Sequence, residues 1–313
     1  MIRAGGPISV ERYMGLANAH YYATRDPLGV AGDFTTAPEV SQMFGELVGA
    51  ALADCWRRAG APADAAYAEL GPGRGTLAAD ALRVLGKAGF AGEVHLVETS
   101  PPLRAEQAKR VPGARWHDSV EELPPRPVLL VANEFFDALP VRQWVGGEER
   151  RVAVAGDALV FTVDGPIRED SPAREEAVRA VARHLAEHGG VALVIDYGHA
   201  RSGQGDTLQA VRGHAFADVL ADPGEQDLTA HVDFEALGRT ASAAKVTRVV
   251  SQGEWLERLG IAARAESLAE VHPERADEFA AARKRLCDPD EMGALFKVMA
   301  IHSRSWPSPA VFE

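Results

Sequence analysis

Short apolar runs of strand length punctuate the first two hundred residues, at 66–70, 94–98, 114–117, 128–133 and 191–196. Several of them end on an acid or an amide, at Glu98, Asn133 and Asp196. Runs this short, bounded by glycine, proline and polar residues, predict buried strands. Helix-favouring stretches follow the first two, and an acidic turn, Asp118-Ser-Val-Glu-Glu122, follows the third. Strands alternating with helices predict an α/β protein with a parallel sheet, whose ligand sites lie at the carboxyl ends of the strands.

Before this region, Ser9 is placed to cap a helix running through Glu11, Met14 and Leu16 towards Tyr22. A loop dense in turn formers spans 25–39, and Thr36 and Glu39 have the spacing of a capping box. The helix they would open sets Val40, Phe44, Leu47, Val48, Ala51, Leu52 and Cys55 on one face. After the fourth strand, alternation over 141–145, 151–154 and 159–163 around Gly146-Gly147 predicts a hairpin. The stretch 199–245 is polar and glycine-rich and reads as an insertion beside the site. A strand and helix over 246–261, a charged helical region over 263–288 and a last strand over 295–301 complete the pattern. The expected organisation is an N-terminal helical or lid region (1–60), a core (61–200), a substrate-side insertion (201–245) and a C-terminal part that completes the sheet (246–313).

Composition changes this picture little. With 313 residues, 46% hydrophobic and 25% charged, the chain has ordinary globular values. Its net charge of −12 argues against a nucleic-acid partner, which demands clustered lysine and arginine. Cys55 and Cys287 stand far apart and form no metal or redox motif, the pattern of a reducing compartment. No apolar run reaches the length of a membrane span, and the start lacks the basic-then-apolar order of a secretory signal. A soluble, cytoplasmic protein that binds no membrane is expected.

Candidate chemistry is concentrated in Tyr67-Ala-Glu-Leu-Gly-Pro-Gly-Arg-Gly-Thr-Leu77, a strand ending at an acid, a tight turn and a helix start. Glycines at 71, 73 and 75 permit positive φ and close approach of a ligand. No lysine stands where a P-loop requires one, and Thr76 occupies the third-glycine position of a dinucleotide fingerprint. What is left is Glu69-x-Gly-x-Gly-x-Gly, similar to the first motif of S-adenosylmethionine-dependent methyltransferases, with a plain glycine-rich turn as the alternative. Glu98, after the next strand, has the spacing of a carboxylate that holds ribose hydroxyls. Asp118 ends the third strand, where it would accept from an adenine amino group or cap the following turn. Asn133-Glu-Phe-Phe-Asp-Ala-Leu-Pro140 sets two acids and an amide just beyond a buried strand, where polar groups are costly without a purpose. Histidines and aspartates over 199–233 have no tight ligand spacing, so no metal site is expected, and capping or loop hydrogen bonds fit His214 and His231 better.

Several segments carry a common resemblance in order: Arg25-Asp-Pro-Leu-Gly, Gly32-Asp-Phe-Thr-Thr-Ala-Pro-Glu39, Glu69 to Thr76, Asn133 to Pro140, Ile195-Asp-Tyr-Gly198, Asp227-Leu-Thr-Ala-His-Val-Asp233 and Leu295-Phe-Lys-Val298. On these the chain resembles the MidA-like methyltransferases, whose mitochondrial members assist assembly of respiratory complex I by methylating an arginine of a subunit. The resemblance implies a seven-stranded Rossmann-like class I methyltransferase sheet with S-adenosyl-L-methionine as cofactor. It implies cofactor roles for Gly71, Gly73, Gly75 and Glu98, and Glu69, Asp118 and Asn133 are expected beside them. It also implies substrate or lid roles for Asp33, Thr35, Thr36, Asp196, Tyr197 and His231. An arginine-bearing protein is the expected acceptor; a small-molecule acceptor, or a cofactor-binding assembly factor without transfer, are the alternatives.

Catalysis is expected from Glu134, with Asn133 and, more weakly, Asp137. A guanidinium stays charged and is a poor nucleophile. A carboxylate gripping it through two parallel hydrogen bonds orients the plane and draws charge away from the nitrogen to be methylated.

Overall fold

Five parallel strands carry the site: β1 (Ala66–Leu70), β2 (Val94–Val97), β3 (Arg115–His117), β4 (Val128–Asn133) and β5 (Gly190–His199). They belong to a computed structural model that describes residues 2–24, 36–212 and 215–312. Three short strands, β6 (Val232–Asp233), β7 (Lys245–Val246) and β8 (Val250–Ser251), and a long one, β9 (Phe296–His302), complete the sheet. β9 is antiparallel to β5, and β7 and β8 share its outer edge, while β6 runs beside the end of β5 at Gly198–His199. The order β3-β2-β1-β4-β5-β9-β7/β8 is the seven-position sheet expected of a class I methyltransferase.

The central strands β1, β4 and β5 are buried on both faces and mostly apolar because helices cover the sheet on either side. Tyr67, Leu129, Val131, Leu193, Ile195 and Val298 point to one core, against helices Gln42–Arg58, Thr76–Lys87 and Gln252–Arg258. Their neighbours Ala66, Ala68, Leu130, Ala132, Val194 and Met299 point to the other, against helices Pro172–His188 and Phe234–Thr240. The period of two along each strand assigns these faces. Gly45 and Gly49 let helix Gln42–Arg58 lie directly on helix Thr76–Lys87: a Cβ at Gly49 would sit 2.6 Å from the Ala81 carbonyl oxygen. A third, smaller core joins Val10, Tyr13 and Met14 of helix Val10–Thr24 to Val141, Val152, Ala210 and Leu228.

The structure departs from the sequence pattern in four places. Thr36 makes no side-chain cap; a short helix, Ala37–Val40, stops at Ser41, whose hydroxyl accepts from the Met43 N–H at 3.2 Å and starts the long helix instead. Glu39 is drawn away from a capping box by the Thr76 hydroxyl, which donates to it at 2.6 Å. The expected hairpin is two: Arg142–Val145 pairs with Glu148–Glu149 and Ile167–Asp170, whereas Arg151–Ala155 pairs with Ala158–Phe161 and Ile8–Ser9. Residues 232–244 of the polar stretch belong to the core through Val232, Phe234, Leu237 and Ala241. Helix Pro172–His188 lies where the pattern of runs predicted nothing, although Ser171 caps it and Pro172 opens it.

Candidate active site

A cavity of about 440 Å³ opens at the carboxyl ends of β1, β2 and β4. That volume is in the range of small-molecule sites. Its floor is the glycine turn. Gly71, Gly73 and Gly75 all take left-handed φ, at 58°, 53° and 79°. A Cβ on Gly71 would lie 3.0 Å from the Phe135 ring, so conformation disfavours side chains along the turn and crowding adds to it at Gly71. Gly75 caps helix Thr76–Lys87, whose first residues Thr76 and Leu77 line the cavity. Unpaired N–H groups of a helix's first turn favour an anionic group there.

Four acids reach the cavity, Glu39 from the N-terminal side and three that lie in or follow the central strands. Glu69, almost wholly buried, accepts the Tyr67 hydroxyl at 2.6 Å. Burial pushes its pKa up to about 8 against the pull of that hydrogen bond. Glu98 follows β2; its Oε1 accepts from the Ser100 N–H at 2.8 Å. Burial raises its pKa as well, opposed by the Ser100 and Gln107 hydrogen bonds. Glu134 follows β4 in a left-handed conformation, φ 49°, uncommon for a residue with a side chain. Its N–H donates to the Ile195 carbonyl at 2.9 Å, which locks the turn to β5. Its Oε1 accepts from the Ala37 N–H at 3.1 Å and from Asn133 Nδ2 at 3.2 Å. Burial, and then the neighbouring Asp137, push the Glu134 pKa up to about 8. Asn133 Oδ1 is buried at this edge without a partner among the described residues.

Other expected site residues stand elsewhere. Asp118 is largely exposed, off the cavity wall, and bound to Arg104 Nη2 at 2.5 Å. Asp137, Asp196, Tyr197 and His231 lie behind the wall. Asp196 Oδ2 accepts the N–H groups of Phe136 and Asp137 at 2.9 and 3.2 Å, and Tyr197 donates to Asp137 Oδ2 at 2.7 Å. The His231 ring sits edge-on to Tyr197 at 5.6 Å. These four brace the turn that presents Glu134. Arg174, buried on helix Pro172–His188, supports the same turn through the carbonyls of Phe136, Asp137, Ala230 and His231. Thr36 lines the cavity, whereas Asp33, Thr35 and His214 lie outside the described residues. Among the described residues no cluster of His, Cys, Asp or Glu could hold a metal ion, and no helix is long and apolar enough to cross a membrane.

The sequence reading missed the N-terminal wall. Asn18, Ala19 and Tyr22 of helix Val10–Thr24 line the cavity, together with Glu39. Tyr22 donates to both carboxylate oxygens of Asp227, at 3.1 and 3.0 Å, and Asn18 exchanges hydrogen bonds with the backbone of Leu228. The signal in the sequence is Asp227, the acid that opens the segment Asp227-Leu-Thr-Ala-His-Val-Asp233.

Comparison with known proteins bears on the family and the fold. Residues 47–163 and 149–252 match the family model described as S-adenosyl-L-methionine-dependent methyltransferase. The chain is 37% identical to the mitochondrial protein arginine methyltransferase NDUFAF7 homolog of Drosophila melanogaster, over 96% of this chain and 82% of that protein. The corresponding Homo sapiens protein is 33% identical over 96% of this chain and 81% of its own length. A crystal structure of a COG1565 superfamily member from Burkholderia thailandensis, bound to S-adenosyl-homocysteine, aligns with a TM-score of 0.84 at 28% identity, covering 99% of this chain and 91% of that one. The mitochondrial names of the fly and human proteins overturn the expectation of a cytoplasmic protein.

Proposed function

Because this chain belongs to the family of S-adenosyl-L-methionine-dependent methyltransferases, we propose that it methylates an arginine of a protein substrate, with Glu134 receiving the guanidinium. The reading of the acceptor draws on the names of the fly and human relatives, both protein arginine methyltransferases. The observation that carries the residue assignment is Glu134 itself. It is a carboxylate in an uncommon backbone conformation, anchored through Oε1 and standing in the same cavity as the glycine turn.

The residues present fit the cofactor. The left-handed turn at Gly71 disfavours a side chain and crowds one against Phe135, the helix start at Thr76 suits a carboxylate, and Glu98 offers acceptors to a ribose diol. Asn133 Oδ1 is a buried acceptor left without a donor, and a buried polar group of this kind is costly unless a ligand satisfies it. When bound, S-adenosylmethionine supplies a methyl already activated on a sulfonium, so the protein's task is alignment and exclusion of water.

Glu134 performs the alignment. With Oε1 occupied by Ala37 and Asn133, Oε2 is left to accept a charge-assisted hydrogen bond from a guanidinium N–H, which holds that group beside the cavity. A carboxyl whose pKa burial has raised to about 8 gains its charge when a cation arrives beside it. Arrival of the substrate and ionisation of Glu134 are therefore coupled, and the charge pulls positive character away from the nitrogen that accepts the methyl. The braced turn of Asp196, Tyr197 and Arg174 keeps Glu134 in place without touching the substrate.

Incubation of the purified protein with methyl-labelled cofactor and a lysate from cells lacking it tests the acceptor. The expected result is a labelled protein band whose hydrolysate contains methylarginine. Label in methyllysine or in small molecules alone would refute the arginine reading.

A further inference from the structure

Helix Pro101–Arg110 contributes one fully buried polar side chain, Gln107. Its Nε2 donates to the Gly73 carbonyl at 2.7 Å and to Glu98 Oε2 at 3.3 Å. Its Oε1 accepts the indole N–H of Trp116, in β3, at 2.7 Å. An amide nitrogen has two hydrogens, and both are used. The indole is a donor only, so the amide oxygen must face Trp116 and the nitrogen must face Gly73 and Glu98. The orientation of this amide is therefore dictated chemically. The backbone follows the same path: a Cβ on Gly75 would lie 3.6 Å from the Gln107 Cα and 3.4 Å from Val111 Cγ2. A single side chain thus spans from the glycine turn to the acid that follows β2.

We propose that Gln107 is a positioning residue for the cofactor's ribose, setting the orientation of Glu98 through Oε2 while fixing the Gly73 peptide of the turn. The proposal rests on the reading of Glu98 as the ribose ligand. With Oε1 held by the Ser100 N–H and Oε2 by Gln107, the carboxylate plane is pinned at two points. Each oxygen keeps lone pairs for the two hydroxyls of a diol. The pins are neutral N–H groups, so they orient the carboxylate without spending its charge on an ion pair. They also oppose the effect of burial, which on its own favours the protonated acid, a poorer acceptor. Trp116 acts one step further out. Without its indole N–H the amide oxygen loses its donor, and one of the three bonds that fix the amide plane against Glu98 Oε2 is gone.

A merely structural tie between helix and turn and a positioning role towards ribose give different binding patterns. Calorimetric affinities for S-adenosylhomocysteine and for its 2′,3′-dideoxyribose analogue separate them, measured on the wild type, Gln107→Met, Trp116→Phe and Glu98→Gln. The wild type is expected to bind the dideoxy ligand at least about tenfold more weakly, the value of a charge-assisted hydrogen bond. Gln107→Met is expected to lose most of that preference and Trp116→Phe part of it, since effects on directly coupled groups do not add. If Gln107→Met weakens both ligands by the same factor, the residue only packs and the proposal fails. Should Gln107→Met not fold, an unchanged preference in Trp116→Phe overturns the proposal by itself. Glu98→Gln guards the premise: if it keeps the full wild-type preference, the ribose reading of Glu98 is what fails.

Discussion

At the end of β4, Glu134 combines a left-handed backbone, a carboxyl raised to about 8 and one oxygen tied to two donors. A conformation costing on the order of 1 kcal/mol or more persists where surrounding bonds over-determine it, here the Ile195 carbonyl and the brace of Asp196. Glu134→Gln keeps the shape and removes the charge. Affinity for S-adenosylhomocysteine should be unchanged by calorimetry, while single-turnover methyl transfer falls by roughly a hundredfold or more; near-normal turnover would reject the assignment. The pH profile gives a second check. The ionised carboxylate is the form that grips the guanidinium, and its fraction in the free enzyme grows as pH rises through about 8. The wild-type kcat/KM should therefore climb from pH 6 to about 8 and flatten above it. Glu134→Gln should lose that limb, and a limb that survives belongs to another group.

The element that roofs the cavity is the short helix Ala37–Val40, and it is a separate piece because Ser41 is extended and caps the next helix. It is tied down at both ends. Its Ala37 N–H reaches Glu134, and its Glu39 receives the Thr76 hydroxyl from the helix that follows the glycine turn. Thr76→Val removes the second tie while keeping the β-branched shape. Hydrogen exchange of the amides at 37–41 should speed up in that variant, with melting temperature little changed, because the loss is local. S-adenosylhomocysteine should slow the same amides in the wild type. Exchange indifferent to both changes would make this segment a plain connector. The capping-box pattern at Thr36 and Glu39 misled at this scale: the residue types fit a helix start, but Glu39 gains more from a hydroxyl two helices away. Spacing along the chain carries no information about that partner.

For the whole molecule, buried acids set how stability depends on pH. Glu69 and Glu134 hold protons up to about pH 8 in the folded state, whereas ordinary glutamates release them near 4.5. The folded protein therefore binds more protons than the unfolded chain in this window, so stability is full below about 4.5 and is lost as pH rises through 8, at up to about 1.4 kcal/mol per pH unit for each group. Glu46 acts in the opposite sense. Burial would raise it, but bonds from Arg264 at 2.7 Å and Arg83 at 2.8 Å outweigh burial and lower its pKa. Its contribution is present above 4.5 and disappears only in acid. Urea unfolding from pH 7 to 8.5, above the range in which histidines lowered by burial such as His95 and His302 exchange protons, should show stability declining with pH, and Glu69→Gln should flatten the decline; a curve that rises across this range contradicts the assignment.

The parallel sheet, the glycine turn with its acids, and the place of Asn133 and Glu134 beyond β4 were legible in the residues themselves. Each depends on local rules: apolar runs of strand length, glycines where φ must be positive, and the tendency of α/β sheets to bind ligands at strand ends. Tertiary structure decided which acids reach the cavity. Asp118 and Asp137 follow strands as Glu98 and Glu134 do, and Asp196 closes the fifth apolar run within β5, yet one turns to Arg104 and two turn inward to brace a loop. Strand-end position fixes the neighbourhood of a side chain, and the direction it takes is set by donors from distant segments. The N-terminal wall shows the same limit. Tyr22 and Asp227 lie 205 positions apart and meet at about 3 Å, because helix Val10–Thr24 buries Val10, Tyr13 and Met14 against strands from two later parts of the chain. The residues announced a helix capped by Ser9 and running towards Tyr22; only the packed core named what it rests on.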